Sequence, residues 1–508
     1  MQAHGIQPRQ PRPDALKSKA NDDPGLFGYM FPSLKPLVAD DQALNALAAA
    51  MIDPVDQNNN VDPARADNPD MPAGFTYFGQ FIDHDITLDL TSIGEKQDDP
   101  EAQENFRSPA LDLDSVYGLG PDGSQFMYER DAATLKMLPS LIIGNAPASD
   151  NPTGQSGPIP DVPGGDLPRS TVTGIAIIGD SRNDENLLVA QMHLAFMHFH
   201  NKVVAHLRDV DKVPEHELFK RARDEVVWHY QWLVLHEFLE TITGEKGIAD
   251  RILHAGRRFY RFKRWPFIPM EFSAAAYRWG HSAVREVYSH NRVFNTDGGF
   301  PATLKLLFRF SGKSGELVGS LQDPAIPLPQ PVLPSNWVID WRRFFDFKTK
   351  GANPNFRLNL AHRIDPLLTP ELHSLPGGAS LASLNLRRGV QKKLPSGQDV
   401  ARAMNITPLT SAELSTGPDG VVAKAHGFDK KTPLWYYILK EAEVKAQGLH
   451  LGPVGKTIVA EVLIGIVQGS KGSYLQTSPF KPRFGKVPGV FTMVDLITFA
   501  GVVNPIGD

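Results

Sequence analysis

The sequence contains no cysteine, so disulfide bonds, zinc–thiolate sites, iron–sulfur clusters and thiol catalysis are excluded. It also lacks any apolar run of the ~20 residues that a membrane-spanning helix needs. The stretch MQAHGIQPRQPRPDALKSKANDDPG has no apolar segment of the signal-peptide kind, so we expect no standard signal peptide and leave the compartment open. The net charge of −5 shows no excess of positive charge, which argues against nucleic acid or an anionic membrane as the main partner.

The remaining composition, with 41% hydrophobic and 21% charged residues, is that of an ordinary globular protein. Strand patterns are few and short, so we predict a mainly α fold with long loops and very little β. We expect residues 1–70 to form an N-terminal extension or arm that packs on the core, and residues 71–508 to form one large helical catalytic domain. Apolar periodicity predicts helices over Asp41–Met51, Gln80–Leu88, Glu185–Val210, His216–Thr243, Met270–Ser289 and Gly455–Gln468.

The segment FGQFIDHDITLD, residues 78–89, places polar side chains in a pattern that otherwise indicates a buried helix. Gln80 and His84 are four residues apart and share one face of such a helix, while Asp83 and Asp85 flank His84 at about 100° to either side. Polar groups buried in this way need partners. The segment is therefore either a satisfied core network or a site with a different ligand on each edge of the helix.

The loop SPALDLDSVYG, residues 108–118, carries Ser108, Asp112 and Asp114 at alternating positions. Hydroxyl, carboxylate and carbonyl oxygens at every second residue suit a hard cation such as Ca²⁺. The loop lacks the spacing and the central glycine of an EF-hand, and an ordinary acidic turn is the alternative interpretation.

Three further segments carry arginine, histidine or amide side chains. In GDSRNDEN (179–186), Arg182 and Glu185 precede a long helix, an arrangement typical of an acidic helix start. In YRWGHS (277–282), His281 follows a glycine, although a lone histidine on an apolar helix is more often a core residue. In LNLRRG (384–389), Asn385 and Arg388 are three apart; the amide could accept an imidazole N–H and the guanidinium could bind an anion.

Together these segments resemble the peroxidase–cyclooxygenase superfamily, the animal-type haem peroxidases. The matching blocks are GQFIDHD, LDLDSVYG, GDSRNDEN, YRWGHS and LNLRRG, in the order of the family. With LPSGQDVA and GPVGKTIVAEVLIG the resemblance extends over about residues 71–475, and we expect a bacterial member. The resemblance implies a single, mainly α haem-peroxidase domain.

The resemblance also implies a role for each matching residue. His84 matches the distal histidine, which takes a proton from peroxide and returns it to the leaving oxygen. Arg182 matches the distal arginine, whose charge stabilises the departing oxygen, and Gln80 matches the distal glutamine. His281 matches the proximal ligand of the haem iron, and Asn385 matches its hydrogen-bond partner.

The cofactor implied is haem b. Arg278 and Arg388 match residues that pair with the haem propionates, for which the planar guanidinium is suited. Asp83 and Glu185 match two acids that become esterified to haem methyl groups in this family, so we predict up to two covalent links, formed after reaction with peroxide.

Calcium is the second cofactor that the resemblance implies. Asp85 matches the ligand next to the distal histidine, and the loop ligands match Ser108, the carbonyl oxygen of Ala110, Asp112 and Asp114. A bound ion would connect this loop to the haem helix.

The function implied is reduction of hydrogen peroxide coupled to oxidation of small anions or phenolic and organic donors. Asn186 stands where the chloride-oxidising member has a haem-bonded methionine, so we expect iodide, bromide or thiocyanate rather than chloride. One alternative is a fatty-acid dioxygenase. It is disfavoured because Arg278 stands where that branch has its radical tyrosine, although Tyr277 is adjacent. The other alternative is a non-catalytic haem-fold binding protein. A metal site is disfavoured for the helix histidines His193, His198, His200 and His206.

Overall fold

The computed structural model describes residues 23, 25–56, 61–62, 66–89, 102–149, 151, 158–296, 300–312, 332–348, 356–375, 378–477 and 479–508. Helices make up most of the regular structure of these residues, which confirms the predicted mainly α fold. No helix in this part of the chain combines the length and the apolar character needed to cross a membrane. The first 22 residues of the predicted arm lie outside the described residues.

The α-helices of the described residues differ widely in length. They are Asp41–Ala50, Gly74–Ile86, Asp114–Tyr117, Gly120–Gly123, Leu187–Asp209, Glu215–Leu233, Leu239–Thr243, Ile248–Ala255, Met270–Ser273, Leu304–Arg309, Leu381–Gln391, Gly397–Ala403, Ser411–Leu414, Gly417–Ala425, Leu434–Ala446, Pro453–Gly469 and Met493–Ala500. A π-helical turn spans Val234–Phe238. The 3₁₀ turns are Gln125–Met127, Ser181–Asp184, Ala276–His281, Ser335–Trp337, Trp341–Arg343, Pro370–His373 and Tyr474–Gln476.

The long periodic segments form helices as predicted. Leu187–Asp209 and Pro453–Gly469 begin and end within two residues of the predicted bounds. The predicted helix 216–243 is helical throughout, with the π turn in its middle. Helix Gly74–Ile86 begins six residues earlier than predicted. Its first residue must be glycine because an added Cβ would lie 2.5 Å from the carbonyl oxygen of Phe344.

The predicted helix Met270–Ser289 was wrong. The chain forms one helical turn, Met270–Ser273, then leaves helical geometry at Ala275, with φ −138° and ψ −74°, before the 3₁₀ turn that ends at His281. Arg278 Nε donates to the carbonyl oxygen of Ser273 at 2.9 Å, which satisfies an acceptor that a longer helix would have used. A bond from a side chain five residues away thus replaces the backbone hydrogen bonds of the helix that periodicity favours.

The strands form four two-stranded antiparallel pairs within the described residues, in agreement with the prediction of little β structure. Asp67–Pro72 pairs with Leu360–His362 and adjoins the start of helix Gly74–Ile86. The other pairs are Tyr128–Arg130 with Met137–Leu141, Gly144–Ala146 with Val162–Asp166, and Val287–Tyr288 with Ala302–Thr303.

Aromatic packing fixes helix Gly74–Ile86 against the two long helices that follow it in sequence. Phe81 stacks on Phe196 with ring centroids 4.7 Å apart, and Tyr230 meets both rings edge-on. All three side chains are fully buried. Such ring pairs add about 0.5–1.5 kcal/mol each beyond the burial of apolar area. The polar residues on the opposite faces of this helix therefore sit on a rigid support.

The described part of the N-terminal arm packs on the core. Phe27, Phe31 and Leu44 are buried in the same apolar cluster as the later helices. The buried carboxylate of Glu271 accepts hydrogen bonds from the backbone N–H groups of Met30, at 2.9 Å, and Phe31, at 3.0 Å. The domain boundary at residue 70 stays a prediction.

Candidate active site

The helix Gly74–Ile86 presents Gln80 and His84 on one face. His84 is 5% exposed, and its Nε2 lies 3.4 Å from Oε1 of Glu185. Gln80 Nε2 donates to the same carboxylate oxygen, while Gln80 Oε1 accepts from Asn186 Nδ2 at 3.0 Å. We call Gln80, His84 and Glu185, with Asn183 described below, the distal side. The structure brings together side chains that lie about a hundred residues apart in sequence.

Arg182 lies against the end of the same helix. Its Nη2 donates to the carbonyl oxygens of His84, at 2.9 Å, and Thr87, at 2.7 Å, and to Asp180 Oδ2 at 2.7 Å. Burial acts to raise the pKa of Asp180, but Arg182 and Arg107 more than offset it and hold that pKa below its usual range. Arg182 is thus a fixed cation next to His84, with Nη1 making no hydrogen bond to the described residues.

Asn183, for which the sequence analysis assigned no role, contacts the predicted distal histidine. Asn183 Oδ1 lies 2.8 Å from His84 Nδ1, and Asn183 Nδ2 lies 2.9 Å from His193 Nδ1. Its place next to Arg182 in GDSRNDEN was the available indication in the sequence. The other helix histidines bond to neighbouring groups, such as the carbonyl oxygen of Gly164 for His198 and that of Pro139 for His200.

His281 ends the 3₁₀ turn Ala276–His281, and its Nδ1 lies 2.8 Å from Asn385 Nδ2. The predicted contact is present, but the amide presents its nitrogen rather than the expected oxygen. The reason is Arg278, which can only donate and whose Nη1 lies 3.2 Å from Asn385 Oδ1. Burial, followed by the charge of Arg278, lowers the pKa of His281 to about 3, so the ring is neutral, as a metal ligand must be.

Open space adjoins Gly280, the residue before His281. The ring lies deep in the protein yet part of its surface is accessible, and a Cβ added to Gly280 would meet no atom within 4 Å. Glu185 of the distal side is close enough to His281 to oppose part of this lowering of its pKa. Trp279 lies 3.7 Å from the Cβ position of Gly79 on the distal helix. The two histidines therefore belong to one region rather than to distant surfaces.

Three cations, Arg278, Arg388 and Lys392, line one pocket at an end of this region. Arg388 Nη1 donates to Asp89 Oδ2 at 2.8 Å, and Lys392 Nζ lies 3.5 Å from the same oxygen. Burial, then repulsion by Arg388, lowers the pKa of Arg278 to about 10. We call Arg278, Arg388, Lys392 and Asp89 the cationic end. Lys392 was missed by the sequence analysis, although its position four residues after Arg388 places both on one helix face.

Asp85, Asp112 and Asp114 form the acidic cluster, in which one oxygen of each residue lies within 4.8 Å of the others. Burial first, and then repulsion by the other two acids, raises the pKa of Asp85 well above its usual value. Burial and Asp112 likewise raise the pKa of Asp114 to about 7. Ser108 Oγ donates to Asp112 Oδ2 at 3.2 Å, and Ala110 lies half-buried in the same loop.

A buried arginine was not expected beside the acidic cluster. Arg107 Nη1 donates to Asp114 Oδ1 at 3.1 Å, and its Nε donates to Asp180 Oδ2 at 2.9 Å. Asp180 also binds Arg182, so Arg107 connects the acidic cluster to the distal side through one carboxylate. Leu113, between two of the acids, adopts φ 56°, and its N–H donates to Asp85 Oδ2 at 3.2 Å. A left-handed leucine is strained, which is typical of a loop built around a site.

The family model described as animal haem peroxidase matches residues 91–461. The chain belongs to this family. The matched range includes Arg182, His281 and Asn385, whereas Gln80 and His84 precede it. Drosophila melanogaster peroxidasin is 22% identical over 343 residues, covering 65% of this chain and 20% of peroxidasin. Drosophila melanogaster chorion peroxidase is 26% identical over 249 residues, covering 46% of this chain and 27% of that protein.

Solved structures of this superfamily share the fold. Peroxidase A from Dictyostelium discoideum superposes with a TM-score of 0.60 and 15% identity, covering 95% of this chain and 94% of that one. The fatty acid alpha-dioxygenase of Oryza sativa gives a TM-score of 0.57 and 13% identity, covering 93% and 78%. This chain spans about a fifth to a quarter of the length of the two curated relatives above.

Membership of the animal haem peroxidase family implies that the chain binds haem. The residues present fit that group in two respects. The cationic end has three positively charged side chains and one carboxylate, Asp89, to balance them. The two propionates of haem would supply further negative charge. A neutral imidazole, His281, lies in the same region and follows Gly280, which has open space beside it.

Proposed function

We propose that the chain is a haem peroxidase that reduces hydrogen peroxide and oxidises small anions, such as iodide, bromide or thiocyanate, or phenolic and organic donors. The observation that carries the proposal is the buried His84, whose Nε2 meets Glu185 in the region that also contains His281. Bound haem supplies the redox-active iron at which peroxide is reduced. Side chains of this protein transfer the proton, stabilise the developing charge and bind the cofactor.

His84 handles the proton. Its Nε2 takes a proton from the proximal oxygen of peroxide and returns it to the oxygen that leaves, a role that requires a neutral imidazole at the start. Until the ester link proposed below forms, the carboxylate of Glu185, 3.4 Å from Nε2, stabilises the imidazolium in between. Arg182, which binds the backbone carbonyl oxygen of His84, provides a fixed positive charge for the departing oxygen.

His281, Arg278 and Arg388 would hold the haem. His281 would offer Nε2 to the iron, and the two arginines would pair with the propionates. Pairing of Arg278 with a propionate would withdraw the donor that now binds Asn385 Oδ1. The amide could then turn and accept the Nδ1 hydrogen of His281, which is the arrangement predicted from the sequence.

Asp83 and Glu185 are the residues we propose for ester links to haem. Glu185 is held at the distal side by Gln80, and Asp83 Oδ1 accepts from Thr87 Oγ1 at 3.0 Å on the flank of the same helix. After peroxide treatment, haem should stay with the protein in acidified organic solvent, and mass spectrometry should locate the links. Complete extraction of the haem would refute them.

Ca²⁺ is the cation that we propose for the acidic cluster, with Asp85, Asp112, Asp114, Ser108 and the carbonyl oxygen of Ala110 as ligands. Carboxylate, hydroxyl and carbonyl oxygens are the ligands that this ion prefers. The cluster joins two buried carboxylates, Asp85 and Asp114, to the half-buried Asp112, and burial together with Asp112 raises the pKa of Asp114 to about 7, which supports a cation there. Arg107 already neutralises part of this charge and limits the affinity.

The test is a spectrum of the haem-loaded protein before and after hydrogen peroxide, followed by turnover with iodide, bromide, thiocyanate, chloride and phenols. We expect a Soret band that changes with peroxide and is restored by the donors, with chloride the poorest of them. A Soret band that peroxide leaves unchanged would show a haem-binding protein without peroxidase activity.

A fatty-acid dioxygenase is the second candidate because Tyr277 is a buried phenol near the site. Its ring stacks on Phe272 at 4.6 Å, and its hydroxyl makes no hydrogen bond to the described residues. Arg278 occupies the position that the resemblance assigns to the radical tyrosine, which favours the peroxidase. Oxygen uptake with linoleate and no added peroxide would reverse this preference.

A further inference from the structure

Asn183 joins the buried histidine of the distal side to a second buried histidine. Its Oδ1 lies 2.8 Å from His84 Nδ1, and its Nδ2 lies 2.9 Å from His193 Nδ1. Asn183 and His193 are both 0% exposed, so bulk water does not compete for these bonds. The three side chains form one line of hydrogen bonds that runs from the candidate site into the core.

The chemistry of the amide determines which ring nitrogens carry hydrogen. An amide oxygen only accepts, so His84 Nδ1 carries a hydrogen in this arrangement, and in the neutral ring His84 Nε2 then keeps a lone pair. An amide nitrogen only donates, so His193 Nδ1 carries none. Burial lowers the pKa of His193 to about 3, so this ring is neutral and holds its single hydrogen on Nε2.

We propose that Asn183, oriented by His193, is a positioning residue that holds His84 in the tautomer with hydrogen on Nδ1. The inference rests on the proposed function, in which His84 Nε2 accepts a proton from peroxide. A reversed amide would place the hydrogen of His84 on Nε2, and that nitrogen could then accept no proton. The tautomers of the two histidines are therefore coupled through one side chain.

The surroundings of Asn183 hold the amide in place. Its backbone N–H donates to the carbonyl oxygen of Asp180 at 3.0 Å, within the 3₁₀ turn Ser181–Asp184. His193 meets the ring of Phe81 edge-on, with centroids 6.1 Å apart. His193 Nε2 has no hydrogen-bond partner among the described residues. Since an unpaired buried donor is unfavourable, the use of this ring as an acceptor at Nδ1 indicates a role beyond packing.

The first test compares Asn183→Leu with Asn183→Asp in the haem-loaded protein. Leucine removes the acceptor, so the peroxide reaction should slow at least about tenfold and its pH profile should change. Aspartate keeps an acceptor for Nδ1 and adds a negative charge, so the rate should stay near that of the wild type. The apparent pKa of the reaction should rise, because an adjacent anion favours imidazolium.

The second test addresses His193. His193→Gln can still accept the amide hydrogen through its side-chain oxygen and should react like the wild type. His193→Leu leaves the amide without a partner and should slow the reaction. Equal rates for the two variants would contradict an orienting role for His193.

A readout without haem separates this inference from the proposed function. In the haem-free protein labelled with ¹⁵N-histidine, His84 should show a protonated Nδ1 and an unprotonated Nε2, and Asn183→Leu should mix the two tautomers. Asn68→Leu is the matched control: it removes another amide that is 0% exposed, bonded to backbone atoms of Asp70 and Leu449. This control should lower stability and leave both tautomer and pH profile unchanged.

An Asn183→Leu variant that folds and keeps the wild-type tautomer overturns the inference, whatever its activity. A wild-type protein that shows the expected tautomer but never reacts with peroxide refutes the proposed function and leaves the positioning role intact.

Discussion

The distal side and the cationic end of the candidate site differ in how their polar groups are paired. On the distal side, carboxylate, amides and imidazole bond to one another, and each partner is supplied by the protein. At the cationic end, Arg278, Arg388 and Lys392 share a pocket with Asp89, and burial followed by repulsion from Arg388 lowers the pKa of Arg278. The distal side is organised before any ligand binds, whereas the cationic end is complementary to an anion that the protein does not supply.

Replacing His84 should have the largest effect and should be confined to the distal side. We expect His84→Leu to slow the reaction with peroxide by about 10²–10⁴-fold, the usual contribution of a general acid–base group. Haem affinity should be nearly unchanged because the residues proposed to hold haem lie elsewhere. Stopped-flow measurement of the Soret change and haem titration would show both effects.

The control for this prediction is His198→Gln, which keeps a donor for the carbonyl oxygen of Gly164. It should leave the rate unchanged. A wild-type rate in His84→Leu would remove the distinction between the two regions.

Removing charge from the cationic end should weaken binding without harming the fold. In Arg278→Gln/Arg388→Gln, two charge-assisted contacts to the propionates are lost, so haem affinity should fall by about 10²-fold or more. The haem-free variant should unfold at no lower urea concentration than the wild type, because repulsion between buried cations is relieved. The control pair Arg208→Gln/Arg402→Gln, at exposed ion pairs, should leave haem affinity unchanged.

Calcium should stabilise the protein more at pH 8 than at pH 5. The raised pKa values of Asp85 and Asp114, the latter about 7, mean that the folded state binds more protons than the unfolded chain between about pH 4 and pH 7. Without calcium, the free energy of unfolding therefore falls as pH rises through this window. Calcium offsets the repulsion, so urea unfolding with and without the ion should differ most above the window. An equal difference at both pH values would count against the cluster as the calcium site.

Lys392→Met should give the smallest effect. Burial lowers the pKa of Lys392; Asp89 partly offsets this effect, and Arg388 adds to it. The folded haem-free protein therefore loses the Lys392 proton at a lower pH than the unfolded chain does. Its free energy of unfolding should then rise with pH as the usual lysine pKa is approached, and methionine should remove this slope. Urea unfolding between pH 8 and pH 10 measures it. A slope retained in the variant would assign it to another group.

Local spacing indicated some of the candidate site, whereas the roles of its residues followed from the resemblance to the haem peroxidases. Gln80 and His84 share a helix face at a spacing of four, and the acidic loop shows its alternation directly. Long-range partners could not be predicted in this way. Asn183 and His84 are 99 residues apart, and Lys392 reaches Gln103 across 289 residues. The bond between Asn385 and His281 was anticipated, but its direction depends on Arg278, whose own position follows from an irregular backbone.

The sequence by itself determined the helical class of this protein and the bounds of its longest helices. These properties follow from periodicity and residue chemistry, which act over a few residues. Only the tertiary structure decided which nitrogen of His84 carries hydrogen, where Asn385 directs its oxygen and which cations crowd around Asp89. Each of these depends on hydrogen bonds and charges between segments that folding alone brings within a few ångströms.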